Sequence, residues 1–135
     1  MVIKALNVAE KPSVARELAK ILGGGQARRR QGHILFEYNQ IFEFDCNMMN
    51  QSVSVKLTSV TGHLMEVEFA EPLGKRWNAC QPVELFTAPI VKYVKEDNRD
   101  LEKQLENEAR GCQWLVLWLD CDREGENIAY EVIEV

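Results

Sequence analysis

Long apolar runs are missing from this sequence of 135 residues. No stretch approaches the roughly 20 residues that cross a bilayer, and residues 1–9 lack the extended apolar core of a secretory signal. An intracellular location is therefore expected. Paired cysteines are missing too. Cys46, Cys80, Cys112 and Cys121 stand singly with no Cys-x-x-Cys spacing. That argues against a zinc ribbon or a disulfide framework and for reduced, partly buried thiols. Positive charge is in deficit, since 16 Lys and Arg face 21 Asp and Glu for a formal net charge of −5. Duplex binding rests on cations that neutralise phosphates, so any nucleic-acid affinity must be local or come from elsewhere. Repeats and low-complexity tracts are also lacking. With 46% hydrophobic and 27% charged residues, the composition suits one folded domain with a sizeable core rather than a disordered chain.

What is present starts with residues 2–9, mostly apolar, running into Glu10-Lys11-Pro12-Ser13, after which Val14, Leu18, Ile21 and Leu22 recur at helical spacing. The order predicted is strand, turn, helix. Pro12 suits a first helical turn, where its missing N–H costs nothing, and Gly23-Gly24-Gly25 supply the stop. Arg28-Arg29-Arg30 opens a polar connection. Residues 41–44 and 53–60 carry the β-branched and aromatic residues of strands, with a turn over 47–52. Residues 71–89 hold Pro72, Gly74, Pro82 and Pro89 with little periodicity, which predicts a long surface loop. Asp97 is placed to cap a helix carrying Leu101, Leu105 and Ala109 and ended by Gly111. The unbroken run Leu115-Val116-Leu117-Trp118-Leu119 predicts a strand buried on both faces. Ile128, Val132 and Val135 mark a last helix whose pattern is still running at residue 135, as expected for a piece of something longer. Strand-helix units at both ends, with strands between, predict an α/β fold: a parallel-rich, Rossmann-like sheet with helices on both faces.

The chemistry concentrates where two of those strands end. Asp120, Asp122, Glu124 and Glu126 alternate with Cys121, Arg123 and Gly125 directly after the apolar run. Two unit charges about 4 Å apart repel by roughly 4 kcal/mol at an effective dielectric near 20, so a crowd of carboxylates needs an offsetting charge. A hard divalent cation such as Mg²⁺ supplies it most directly and commonly also holds phosphates. In open α/β sheets ligands gather outside the carboxyl ends of the strands. If the first and last strands are neighbours, Glu10 and the Asp120/Asp122 pair face one crevice, with Lys11 beside them to hold a phosphate. The plainer alternative is that these acids favour a helix N-terminus for its dipole, and Glu126 needs no other explanation.

Other features carry less. The triple glycine follows a helix and lacks a Gly-Lys-Ser/Thr sequel, so it terminates rather than cradles phosphate. Arg28, Arg29 and Arg30 either touch a DNA backbone or are solvated. His63 either approaches a phosphate or base or is a hydrogen-bonded turn histidine. His33 has no evident partner, and Tyr38, Tyr93 and Tyr130 lie in segments that predict packing, so none is a convincing nucleophile.

Three motifs taken together narrow the field. They are Val8-Ala9-Glu10-Lys11-Pro12-Ser13-Val14-Ala15, Thr58-Ser59-Val60-Thr61-Gly62-His63-Leu64, and Leu117-Trp118-Leu119-Asp120-Cys121-Asp122-Arg123-Glu124-Gly125-Glu126-Asn127-Ile128. The sequence resembles, over essentially its whole length, the N-terminal Toprim domain of eukaryotic DNA topoisomerase III, a type IA enzyme. Arg28 to Arg30, Tyr38 to Asp45 and Arg76-Trp77 look closer to the alpha form than the beta form. The resemblance implies Mg²⁺-dependent cleavage of single-stranded DNA, passage of another strand and religation without ATP. It implies that Glu10 is a metal-ligand and proton-transfer acid, Lys11 a phosphate contact, and Asp120, Asp122 and Glu124 the acidic metal triad. Arg123 and His63 fall in family motifs as DNA or structural contacts. The attacking tyrosine of the family, which forms a 5′-phosphotyrosyl bond, lies far downstream on a separate domain and its motif is absent here, so strand cleavage by this piece alone is not expected. The remaining topoisomerase domains, a RecQ-type helicase, an OB-fold accessory protein and a nuclear site are implied as partners and setting. Two rival readings stay open: a small Toprim nuclease that uses metal-activated water, and a non-catalytic interaction module whose acids only stabilise helix ends.

Overall fold

The computed structural model describes residues 2–30, 39–71, 73, 78 and 80–135. His33, Tyr38 and the Arg76-Trp77 pair lie outside them. The chain begins with strand β1 (Ile3–Ala9) and helix α1 (Pro12–Leu22), followed by strands β2 (Arg28–Arg30), β3 (Ile41–Met48) and β4 (Gln51–Ser59). A ribbon of β5 (Met65–Phe69) and β6 (Ile90–Val94) comes next, and the chain closes with α2 (Arg99–Ala109), β7 (Trp114–Trp118) and α3 (Arg123–Glu134). The main sheet has the order β2-β3-β4-β1-β7. Its β4-β1-β7 half is parallel, and β2 and β3 add antiparallel pairs on one side. The predicted α/β architecture with parallel strands and helices on both faces is therefore present, in a mixed sheet.

Alternation along β1 explains the layers. Ala5 and Ala9 point to one face and pack with Ala15 and Ala19 of α1, Phe44, Val53, Val55 and Leu57. Small side chains on both sides let helix and sheet approach closely. Leu6 and Val8 point to the other face, where Leu101 and Leu105 of α2 and Ile128 and Val132 of α3 cover them. The buried stripe of α1 thus runs through Ala15 and Ala19, with Leu18 and Leu22 beside it, while Val14 and Ile21 of the expected stripe are 38% and 72% exposed.

Several local expectations are corrected. Among the described residues Arg28 to Arg30 form an edge strand paired with β3 rather than an open connection, with Arg30 held by Glu43 and Glu108. The β3-β4 turn is only two residues, Met49 and Asn50, both at positive φ, so both strands run longer than their β-branched cores suggest. The residues after His63 and before Asp97 supply the ribbon, with a 3-10 turn over Pro82–Phe86 inside the expected loop. Asp97 does not cap α2. It sits in a 3-10 turn over Glu96–Asn98, and the Asn98 amide reaches instead to the carbonyls of His63 and Leu64. Among the described residues β7 pairs with β1 alone, which leaves Leu115 42% exposed where burial on both faces was expected.

Candidate active site

Parallel register brings the site together. Ala9 is level with Ser59 on one neighbour and Trp118 on the other, so β4, β1 and β7 all release their chains at the same edge. The ladder continues one residue further: the Glu10 N–H donates to the Trp118 carbonyl at 3.2 Å, and the Val60 N–H to the Ala9 carbonyl at 2.9 Å. The Glu10 side chain, only 14% exposed, turns toward β7, where Oε2 accepts from the Asp120 N–H at 3.4 Å. Two acidic turns separated by 110 residues are thereby in direct contact.

Lys11 occupies the N-cap position of α1, and Pro12 opens the first turn as expected. Its Nζ stands 3.0 Å from Glu10 Oε1. That hydrogen bond and the charge of Glu10 hold the Lys11 ammonium above the usual lysine range, with smaller contributions from Asp120 and Glu124. Glu10, Lys11, Val14, Leu18, Trp118, Leu119 and Asp120 line a cleft of about 240 Å³. Asp120 also borders a more open hollow of about 490 Å³ with Asp122, Arg123 and Glu126. Arg123 faces that hollow.

The turn after β7 is tightly determined. Asp122 is the N-cap of α3, and its Oδ1 accepts from the Gly125 N–H at 2.7 Å. A Cβ at Gly125 would collide with the Asp120 carbonyl, so only glycine lets the helix start this close to the strand end. Glu124, in the first turn of α3, is 69% exposed and lies 3.6 Å from His63 Nε2. Among the described residues no group of three or more His, Cys, Asp or Glu is already gathered around one point to hold a metal ion. Glu10 faces Lys11, Asp122 caps α3 and Glu124 faces His63. The donor set itself, four carboxylates at the rim of one sheet edge, is the chemistry that suits a hard divalent cation.

Two residues behind His63 were missed. Glu131 of α3 is buried at 2% exposure, and Asn127 lies one turn before it. The signal in the sequence was an acid inside the apolar stripe of Ile128 and Val132, one residue before Val132. Cys46, Cys80 and Cys112 are free and half-buried, whereas Cys121 is exposed where partial burial was expected, and burial first of all pushes the Cys46 and Cys112 thiols up.

The Toprim domain family model matches residues 5–135. The chain belongs to the Toprim domain family. It is 54% identical to DNA topoisomerase 3-alpha of Arabidopsis thaliana over 98% of its own length and 14% of that protein's. It is 49% identical to DNA topoisomerase 3 of Dictyostelium discoideum over 100% and 16% of the two lengths, and 47% identical to DNA topoisomerase 3-alpha of Homo sapiens over 98% and 13%. This Toprim domain therefore spans about one seventh of the length of the curated relatives it matches. Toprim domains of topoisomerases bind metal ions. No helix of the described residues is long and apolar enough to cross a membrane.

Proposed function

We propose that this Toprim domain is the metal-binding half of the active site of a type IA DNA topoisomerase, which cleaves, passes and religates single DNA strands through a 5′-phosphotyrosine carried by another domain. The observation that carries the reading is the contact of Glu10 with the Asp120 backbone, which brings an acid, a lysine and the Asp120/Asp122/Glu124 set to one mouth of the sheet. Glu10, Asp120, Asp122 and Glu124 would hold Mg²⁺, which would supply charge neutralisation at a bound phosphate. Glu10, anchored through its backbone on both sides, is the acid that would move a proton at the departing sugar oxygen. Lys11, 60% exposed, can leave Glu10 for a phosphate oxygen while keeping its charge. His63 and Arg123 flank the DNA path.

On this reading residues 1–135 are one domain of a longer nuclear enzyme. Single-stranded DNA, the remaining topoisomerase domains, a RecQ-type helicase and an OB-fold accessory protein are its partners.

Calorimetric Mg²⁺ titration of the protein tests the site. Asp120→Asn and Glu10→Gln should each weaken Mg²⁺ at least about tenfold, the loss of about 1.4 kcal/mol. Unchanged affinity in both variants would remove the proposed metal centre. A specific observation favours the interaction-module reading for one residue, since Asp122 already has a structural task as the α3 cap. Asp122→Asn, which retains a capping oxygen, separates the two: weakened Mg²⁺ with an unchanged melting temperature supports the metal role, and unchanged Mg²⁺ affinity supports the cap alone.

A further inference from the structure

Glu131 does not reach the cleft, yet apart from one hydrogen bond within α3 its hydrogen bonds all point at the loop that borders it. Its Oε2 accepts from the N–H groups of Leu64 at 2.8 Å and Met65 at 3.3 Å. Its Oε1 accepts from Asn127 Nδ2 at 3.2 Å and lies 3.1 Å from His63 Nδ1. The other side of the loop is pinned as well, because Asn98 donates to the His63 and Leu64 carbonyls and the Lys95 N–H donates to the Leu64 carbonyl at 3.1 Å. Gly62, at φ 86°, provides the turn that brings His63 off the end of β4.

A carboxylate receiving three other N–H groups acts only as an acceptor, so the ring nitrogen 3.1 Å away is held as a donor. Nδ1 then carries a proton whether the imidazole is neutral or charged, and Nε2 is the nitrogen left to vary. Nε2 is the one directed at the acidic turn, 3.6 Å from Glu124 Oε1. Asn127 Nδ2 donates one N–H to the same Glu131 oxygen at 3.2 Å, and its second N–H is the weaker competitor for Nδ1, 3.5 Å away against 3.1 Å for the carboxylate. Turning that amide over would set its oxygen against the carboxylate.

We infer that Glu131 is a positioning residue: buried in α3, it locks His63 as the Nδ1–H tautomer and presents Nε2 to the Glu124 end of the crevice. The statement that Nε2 there meets a phosphate or sugar oxygen of single-stranded DNA rests on the proposed function; the tautomer does not. The lock resembles the way a second carboxylate orients an imidazole in other sites, where the orienting group fixes which nitrogen is available.

The test is a long-range ¹H–¹⁵N spectrum of the histidine rings in the ¹⁵N-labelled protein at alkaline pH, where the ring is neutral. His33→Gln assigns the signals, since the chain has two histidines. The expected result is a protonated Nδ1 and a bare Nε2 for His63. In Glu131→Gln the carboxamide oxygen can keep the Leu64 and Met65 N–H groups while its NH₂ faces Nδ1, so the proton should move to Nε2. A dominant Nε2–H form in the unmodified protein, or the mixture of a free imidazole, overturns the inference, and that spectrum decides even if the variant does not fold. A second measurement addresses the route of action. Single-stranded DNA affinity in the presence of Mg²⁺ should fall several-fold in His63→Ala and no further in the His63→Ala/Glu131→Gln double variant. Additive losses would show that Glu131 does not act through His63. Failure of the unmodified protein to bind Mg²⁺ or DNA while His63 remains locked would remove the proposed function and support the tautomer assignment.

Discussion

Gly125 shows how one residue sets the distance between the two halves of the acidic turn. The α3 backbone starts so close to the end of β7 that a Cβ there would meet the Asp120 carbonyl. Gly125→Ala should therefore cost about 1–3 kcal/mol through overpacking, read as a lowered denaturation midpoint, and should also weaken Mg²⁺ because Asp120 must shift. Tyr93 gives a prediction of the opposite kind. Burial first, then the neighbouring Glu68 and Glu66, push its phenol up to about 12, which leaves it a poor nucleophile near neutrality. Tyr93→Phe should leave DNA affinity and metal affinity unchanged, as measured by the same titrations. At this scale Glu10, Lys11, Asp120 and Asp122 were legible because each stands beside a strong local signal, the end of an apolar strand. Glu131 was not, since an acid on a helix is ordinarily a solvated residue and only burial reveals its partners.

Between elements, Glu108 is the staple that ties α2 to the antiparallel side of the sheet. Its carboxylate, 7% exposed, takes a two-pronged pair from Arg30 of β2 and an ion pair from Lys56 of β4. Burial alone would raise its pKa, but the Arg30 and Lys56 hydrogen bonds outweigh it and hold the group below the usual carboxylate range. A depressed folded-state value means that the stabilisation is present above the unfolded pKa and is lost as pH falls through the folded one. Acid unfolding should therefore show a component over that interval that Glu108→Gln abolishes. The same substitution should cost about 2 kcal/mol at neutral pH by weakening charge-assisted hydrogen bonds. The cost stays below that of a fully buried triad because Arg30 is 38% exposed and partly screened. None of this was visible in a run of three arginines, which reads alike as solvated or as a patch. The partners come from positions 43, 56 and 108 and meet only in the fold.

Across the whole molecule, the candidate site is built by three parallel strands ending together. Their shared register carries Glu10, Val60 and Leu119 to one edge, and the loops beyond them bring Lys11, His63 and Asp120 to its rim. With a net charge of −5, the chain has little general attraction for a polyanion, so under the proposed function DNA contact would pass through that rim and through Mg²⁺. Single-stranded DNA binding should rise steeply with Mg²⁺ and should be lost in Asp120→Asn, as followed by fluorescence anisotropy. With Mg²⁺ present, the protein by itself should leave supercoiled DNA unnicked. Stable nicks would support the nuclease alternative, which needs no tyrosine.

The order of strand, turn and helix at both ends, the glycine stop after α1, the parallel α/β class and the identity of the acidic turns follow from local pattern. Apolar runs, prolines, glycines and clustered charge act within a few residues of themselves. Strand order, the edge position of β7 among the described residues, the β5-β6 ribbon and the Glu108 and Glu131 contacts required tertiary structure. Each depends on which distant segment lies alongside, and pairing across about 20 to 110 residues leaves no periodic trace in a single sequence.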